Sequence, residues 1–188
     1  APQPHARALR MKLALLSDIH ANLHAFEACL AHAEAAGAQG YALLGDLVGY
    51  GAFPAQVVQR AIRLAEAGAL LVKGNHDHYA NVAIADATKM AHTGVAWTQE
   101  QLSAEERAFL AALPLTARTG RTLLVHASAD APSHWHYVTT PQTAALIETH
   151  RLRMLVKDYG VHKLDASDAQ ISVQCATDAP IDPVKVIF

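Results

Sequence analysis

The chain has 188 residues, 52% hydrophobic and 17% charged, with a formal net charge of −2. This composition excludes a disordered polymer, and the length suits one buried core rather than two. Acidic and basic residues are scattered, which leaves no strong nucleic-acid signal, and no stretch approaches the roughly 20 apolar residues of a membrane span.

The first ten residues, APQPHARALR, read as a loose, disordered leader before Met11, with 11–188 forming a single domain. The short apolar run Leu13–Leu16 lacks the length and cleavage pattern of a signal peptide. Cys29 and Cys175 match neither a CxxC pair nor a disulfide framework, so they read as reduced, buried thiols of a cytoplasmic protein. The twelve histidines are unusual, and their placement matters more than their number.

In chain order, Leu13–Leu16 reads as a buried strand. Asn22 caps a helix whose Leu23, Phe26, Leu30 and Ala33 share a face, and Gly37 ends it. Tyr41–Leu44 is a second buried run. Pro54 suits the first turn of another helix, with Val57, Val58, Ala61, Ile62 and Ala65 inward. Leu70–Val72 is a third strand. Short links between alternating strands and helices imply parallel strands and right-handed crossovers. Ser103 and Glu106 match a capping box that opens a helix running to Leu113, before Pro114. Thr119-Gly120-Arg121 reads as a turn into a fourth strand, Leu123–Val125, and Thr140-Pro141 begins one more helix that ends near His150.

Each expected strand delivers polar residues. Ser17-Asp18-Ile19-His20 follows the first, Gly45-Asp46-Leu47-Val48-Gly49-Tyr50-Gly51 the second, Gly74-Asn75-His76-Asp77 the third and His126 the fourth. The carboxyl ends of parallel strands share one edge of an open sheet, so these residues should converge there. Oxygen and nitrogen donors without thiolates favour manganese, iron or zinc. Asp18 and His20 can chelate one ion, Asp46 can bridge two, and Asn75 and His126 supply further donors. Two cations ~3.5–4 Å apart would clamp a phosphate and lower the pKa of a bound water.

The series D-x-H, G-D-x-x-G-Y-G, G-N-H-D and V-H resembles the calcineurin-like metallophosphoesterase superfamily, and within it the small bacterial phosphodiesterases. The resemblance runs from about Lys12 to Pro141. It implies an α/β (α+β) fold, a four-layer αββα sandwich of two packed mixed β-sheets flanked by helices. It also implies a hydrolase acting on a small phosphoester, a nucleotide or a phosphoprotein. Asp18 and His20 would hold the first of two divalent metal ions, Asp46 would bridge, and Asn75 and His126 would hold the second. His76 resembles the family's proton donor to the leaving oxygen, a role that suits an imidazole. Asp77 either orients that imidazole or caps the turn.

Two departures stand out. Ala21 occupies a position where most relatives carry glycine. The family's ligand set ends in G-H-x-H, and no such motif follows His126. The nearest forms are Ser133-His134-Trp135-His136 and Gly160-Val161-His162, with His150 a third candidate; each of these histidines reads more simply as a surface residue. Residues 151–188 either supply short strands of the second sheet or form a shortened, divergent C-terminus. The alternative function is therefore a non-catalytic binding or scaffold protein that keeps the fold with an incomplete metal site. His24, His32 and His78 read as solvent-facing, and Trp97 and Trp135 as packing residues, although Trp135 could stack on a substrate ring.

Overall fold

Alternate side chains of the first three strands face opposite ways, and this period of two divides the core between two layers. The computed structural model describes residues 12–83, 90–120, 122–129 and 131–136. Strands β1 (Leu13–Leu16), β2 (Gly40–Leu43) and β3 (Leu70–Leu71) form a parallel sheet in the order β1-β2-β3. On one face, Ala14, Leu16, Leu43 and Leu71 join the core cluster of the helices. On the other, Leu15, Ala42 and Val72 pack with Leu124 and Ala117.

Those last two residues belong to β4 (Thr116–Thr119) and β5 (Thr122–Val125), an antiparallel hairpin that forms the second sheet. The Leu123–Val125 strand is therefore not a fourth member of the parallel sheet, as strand succession alone would suggest. Its partner β4 was not expected at all. TART has no apolar run, and its residues alternate between exposed and half-buried, as on a sheet with one open face.

Helix α1 (Leu23–Ala35) begins where Asn22 Oδ1 accepts the Ala25 amide at 3.1 Å, and it buries Phe26, Leu30 and Ala33. Helix α2 (Pro54–Glu66) carries its proline in the first turn and buries Val57, Val58, Ala61 and Leu64. The short helix α3 (Asn75–Tyr79) replaces the polar turn expected after β3. Helix α4 spans Met90–Gln101, and α5 (Ala104–Ala112) opens on the Ser103–Glu106 capping box, with amide-to-side-chain distances of 2.8 and 3.2 Å. In the cluster on the helix side of the parallel sheet, α1 and α2 pack together with Leu102, Leu110 and Leu113.

Among the described residues these elements make one helical layer and two sheets. No helix among them is long and apolar enough to cross a membrane. The expected leader over 1–10, the helix from Thr140, the segments after Arg151, Cys175, His150 and His162 all lie outside the described residues.

Candidate metal centre

The loops after β1 and β2 run side by side beyond their strands. Asp18, His20 and Ala21 donate their amides to the carbonyls of Gly45, Asp46 and Leu47 at 3.1, 2.9 and 2.8 Å. To keep this pairing while turning the side chains inward, the backbone adopts left-handed conformations at Asp18, His20, Ala21, Asp46 and Tyr50, with φ between 48° and 62°. Such conformations are costly for residues with a Cβ and gather where function demands them. Ala21, in the position most relatives give to glycine, is one of them, at φ 53°.

Two glycines allow the loops to close. A Cβ on Gly45 would lie 2.6 Å from the Gly74 nitrogen and 2.8 Å from His126 Nδ1, and one on Gly74 would strike the Asp46 carboxylate. Asp46 is thus enclosed, only 3% exposed. Its Oδ1 accepts the His76 amide at 2.9 Å. Its Oδ2 faces His126 Nε2 at 3.4 Å and His20 Nε2 at 3.8 Å. His20 Nε2 also lies 3.9 Å from Asp18 Oδ1, and Ser17 Oγ donates to the other Asp18 oxygen.

Backbone carbonyls orient the imidazoles. His126 Nδ1 contacts Leu44 O at 2.7 Å and His20 Nδ1 contacts Val48 O at 3.2 Å. With Nδ1–H donated, each Nε2 is left as the lone-pair nitrogen that a cation needs. Asn75 Oδ1 stands 3.2 Å from His126 Nε2.

Donor atoms of His20, Asp46 and His76 lie within 4.8 Å of one another, as do those of Asp18, Asp46 and His126. Nitrogen and carboxylate donors gathered around one buried aspartate fit a divalent cation. All five expected ligand residues, Asp18, His20, Asp46, Asn75 and His126, are brought together. His76 stands beside them, a ring nitrogen within 4.8 Å of donor atoms of His20 and Asp46, which is within reach of whatever the cluster holds and compatible with the proton transfer the sequence suggested.

The electrostatics are organised around Asp46. Burial works against its charge, but the His126 ring and the His76 amide and ring outweigh this and hold its carboxyl below the usual value. Burial equally opposes charge on His126, yet the Asp46 carboxylate raises that imidazole above the ordinary histidine range. On His76 burial prevails over Asp46, and the pKa falls.

Asp77 is fully buried and accepts four backbone amides. Oδ2 takes those of Asp46 and Gly74, both at 2.9 Å, and Oδ1 takes Leu47 at 2.8 Å and Val48 at 3.3 Å. The hydrogen bonds seen among the described residues go to these amides and none to the His76 ring, so this geometry is that of the turn cap. Burial, helped by the Asp46 charge and resisted by the amides, pushes its pKa to about 6.

Tyr50 was quoted in the motif but given no role. Its ring centroid lies 4.5 Å from that of His76 and 4.8 Å from that of His20, while the residue is 81% exposed. No spacing rule could have found this, because it depends on how the Gly49–Gly51 loop folds over the site. Trp135 lies on the His126 side, 6.3 Å from that ring and 6.1 Å from His78. The rings of His134 and His136 lie 5.4 Å apart, tilted by 44°, and neither enters a donor group among the described residues.

A family model described as calcineurin-like phosphoesterase matches residues 11–171. A protein of Methanocaldococcus jannaschii, named only as uncharacterised, is 30% identical over 136 residues, covering 69% of this chain and 55% of that protein. The crystal structure of a metallophosphoesterase from Sphaerobacter thermophilus superposes with a TM-score of 0.63 at 34% identity, covering 74% of this chain and 56% of that one. The chain therefore spans little more than half the length of either relative. Motif order, strand-end placement and the family match agree: the chain belongs to the calcineurin-like phosphoesterase family, whose members hydrolyse phosphoester bonds with divalent metals.

Proposed function

We propose that this chain hydrolyses a small phosphoester or nucleotide at a dinuclear centre. The observation that carries the reading is that Asp46 Oδ2 is shared by two donor groups, with His126 on one side and His20 on the other. Asp18 and His20 would hold one cation, Asn75 and His126 the other, with Asp46 between them. Bound cations in such a site neutralise phosphate charge and make water a competent nucleophile near neutral pH. Manganese, iron and zinc suit the donors.

The chain's own groups do the rest. The carbonyls of Leu44 and Val48 hold the imidazoles in the required tautomer. His76 has its ring beside His20, with centroids 5.0 Å apart, and delivers a proton to the departing oxygen. Its lowered pKa makes the protonated ring a stronger acid, at the expense of a smaller protonated fraction.

The test is metal content by elemental analysis together with hydrolysis of a chromogenic phosphodiester and a monoester in added manganese. Wild type should turn over at least one substrate, with Asp46→Asn losing metal and His76→Asn keeping metal but losing rate. A metal-loaded wild type no faster than either variant on both substrates would instead support the binding-protein alternative.

A further inference from the structure

Asp77 spends its carboxylate on four backbone amides, so the acid next to His76 in the chain does not orient its imidazole. A general acid works only when its ring is held in line with the departing oxygen. Among the described residues, aromatic packing holds this one. The Tyr50 ring lies against it with centroids 4.5 Å apart and planes inclined at 54°. His20 stands edge-on at 5.0 Å, and Tyr79, one turn further along α3, at 6.2 Å.

The segment that carries Tyr50 presses on that ring. Gly49, at φ 92°, lies so near that a Cβ would strike Nδ1 and sit 2.9 Å from Cγ. Gly51 abuts the loop after β1, where a Cβ would strike the His20 carbonyl, and its amide donates to that same oxygen at 3.0 Å. Gly49-Tyr50-Gly51 therefore bridges the backbone of His20 and the imidazole of His76. The crevice between Tyr50, His76 and α4 holds about 30 Å³, room for a water molecule but not for a swung imidazole. Tyr50 itself gains little from its place. It sits on a left-handed backbone at φ 62° and is 81% exposed, so neither burial nor local conformation explains a ring set against two histidines.

We infer that Tyr50 is the positioning residue for His76: its ring, delivered by the Gly49–Gly51 segment, holds the imidazole in the orientation that hands a proton to the leaving oxygen. This rests on the phosphoesterase reading and deepens it.

The test compares leaving groups. A phenyl ester needs a proton on its departing oxygen, whereas a 2,4-dinitrophenyl ester departs as a stable phenolate. Both are assayed in added manganese, as monoester and as diester, for wild type, Tyr50→Phe, Tyr50→Asn and His76→Asn. Asparagine tolerates the left-handed backbone, so Tyr50→Asn removes the ring but should melt within a few degrees of wild type and hold as much metal. It should lose roughly tenfold or more in kcat on the phenyl ester and less than about threefold on the dinitrophenyl ester, with KM little changed. His76→Asn should show the same pattern, larger, and Tyr50→Phe should follow wild type on both. Crystal structures of chelator-treated wild type, Tyr50→Phe and Tyr50→Asn should show the His76 ring displaced in the last alone. Equal losses on the two esters, an unmoved ring in Tyr50→Asn, or a loss in Tyr50→Phe as large as in Tyr50→Asn overturns the positioning role, while wild-type turnover leaves the phosphoesterase standing. No turnover of either ester by metal-loaded wild type overturns the phosphoesterase reading, and the positioning role with it.

Discussion

The Asp77 carboxylate holds the backbone of Asp46, accepting its amide at 2.9 Å, although 31 residues separate them. By also taking the amides of Leu47, Val48 and Gly74, it ties the loop after β2 to the start of α3. Asp46 and Asn75, candidate ligands on those two segments, are thereby fixed relative to each other.

Removing that carboxylate should destabilise the fold. Asp77→Ala leaves four buried amides to find new partners, at about 1–3 kcal/mol for each that fails. Asp77→Asn, which retains one acceptor oxygen, should lose less. Denaturant midpoints of the chelator-treated proteins would measure both.

The same residue predicts a pH dependence. Its folded pKa of about 6 stands above the ordinary aspartate value of 3.8, so protonation favours the folded state. That contribution is fully present below about 4 and is lost as pH rises through about 6, amounting to up to ~3 kcal/mol. Asp77→Asn cannot titrate. Its deficit relative to wild type should therefore shrink from pH 4 to pH 7, which paired urea titrations at both pH values would show; a constant deficit would contradict the raised pKa.

Gly74→Ala should act on the metal centre more than on the core. The new Cβ would lie 2.1 Å from Asp46 Oδ1 and 2.2 Å from the Asp46 backbone nitrogen, so both the carboxylate and the loop that carries it must shift. Overpacking of this kind costs about 1–3 kcal/mol. The expected result is a modest fall in melting temperature with a much larger loss of bound manganese, read by elemental analysis after dialysis.

Metal removal should be visible in stability. Saturating the site at about 100 times Kd adds about 2.7 kcal/mol to the folded state. Added manganese should raise the melting temperature of chelator-treated wild type and leave that of Asp46→Asn unchanged. Equal shifts in both proteins would place the binding elsewhere.

Cys29 should be a slow nucleophile. It is half-buried rather than fully buried, and burial raises its thiol pKa, which lowers the thiolate fraction at neutral pH. Peptide mapping after brief iodoacetamide treatment should find Cys29 labelled more slowly than free cysteine.

Much of this architecture is readable along the chain. Asn22, Pro54 and the Ser103–Glu106 pair mark helix starts through local hydrogen bonding and fixed dihedrals, which need no distant partner. The apolar runs before Asp18, Asp46 and Asn75 mark strand ends for the same reason, and the donor residues follow them directly. The β4 strand was hidden because a half-exposed edge carries no apolar run.

The sequence by itself determined which residues could bind a cation and that they would lie at strand ends, since side-chain chemistry and local periodicity are written into neighbouring positions. Only the tertiary structure decided their partners. His126 reaches the Leu44 carbonyl across 82 residues from a different sheet, Asp77 turns to the Asp46–Val48 amides rather than to the adjacent His76, and Tyr50 settles against His20 and His76. Each is a contact through space between loops, set by how two sheets pack and two loops close, and no spacing along the chain encodes it.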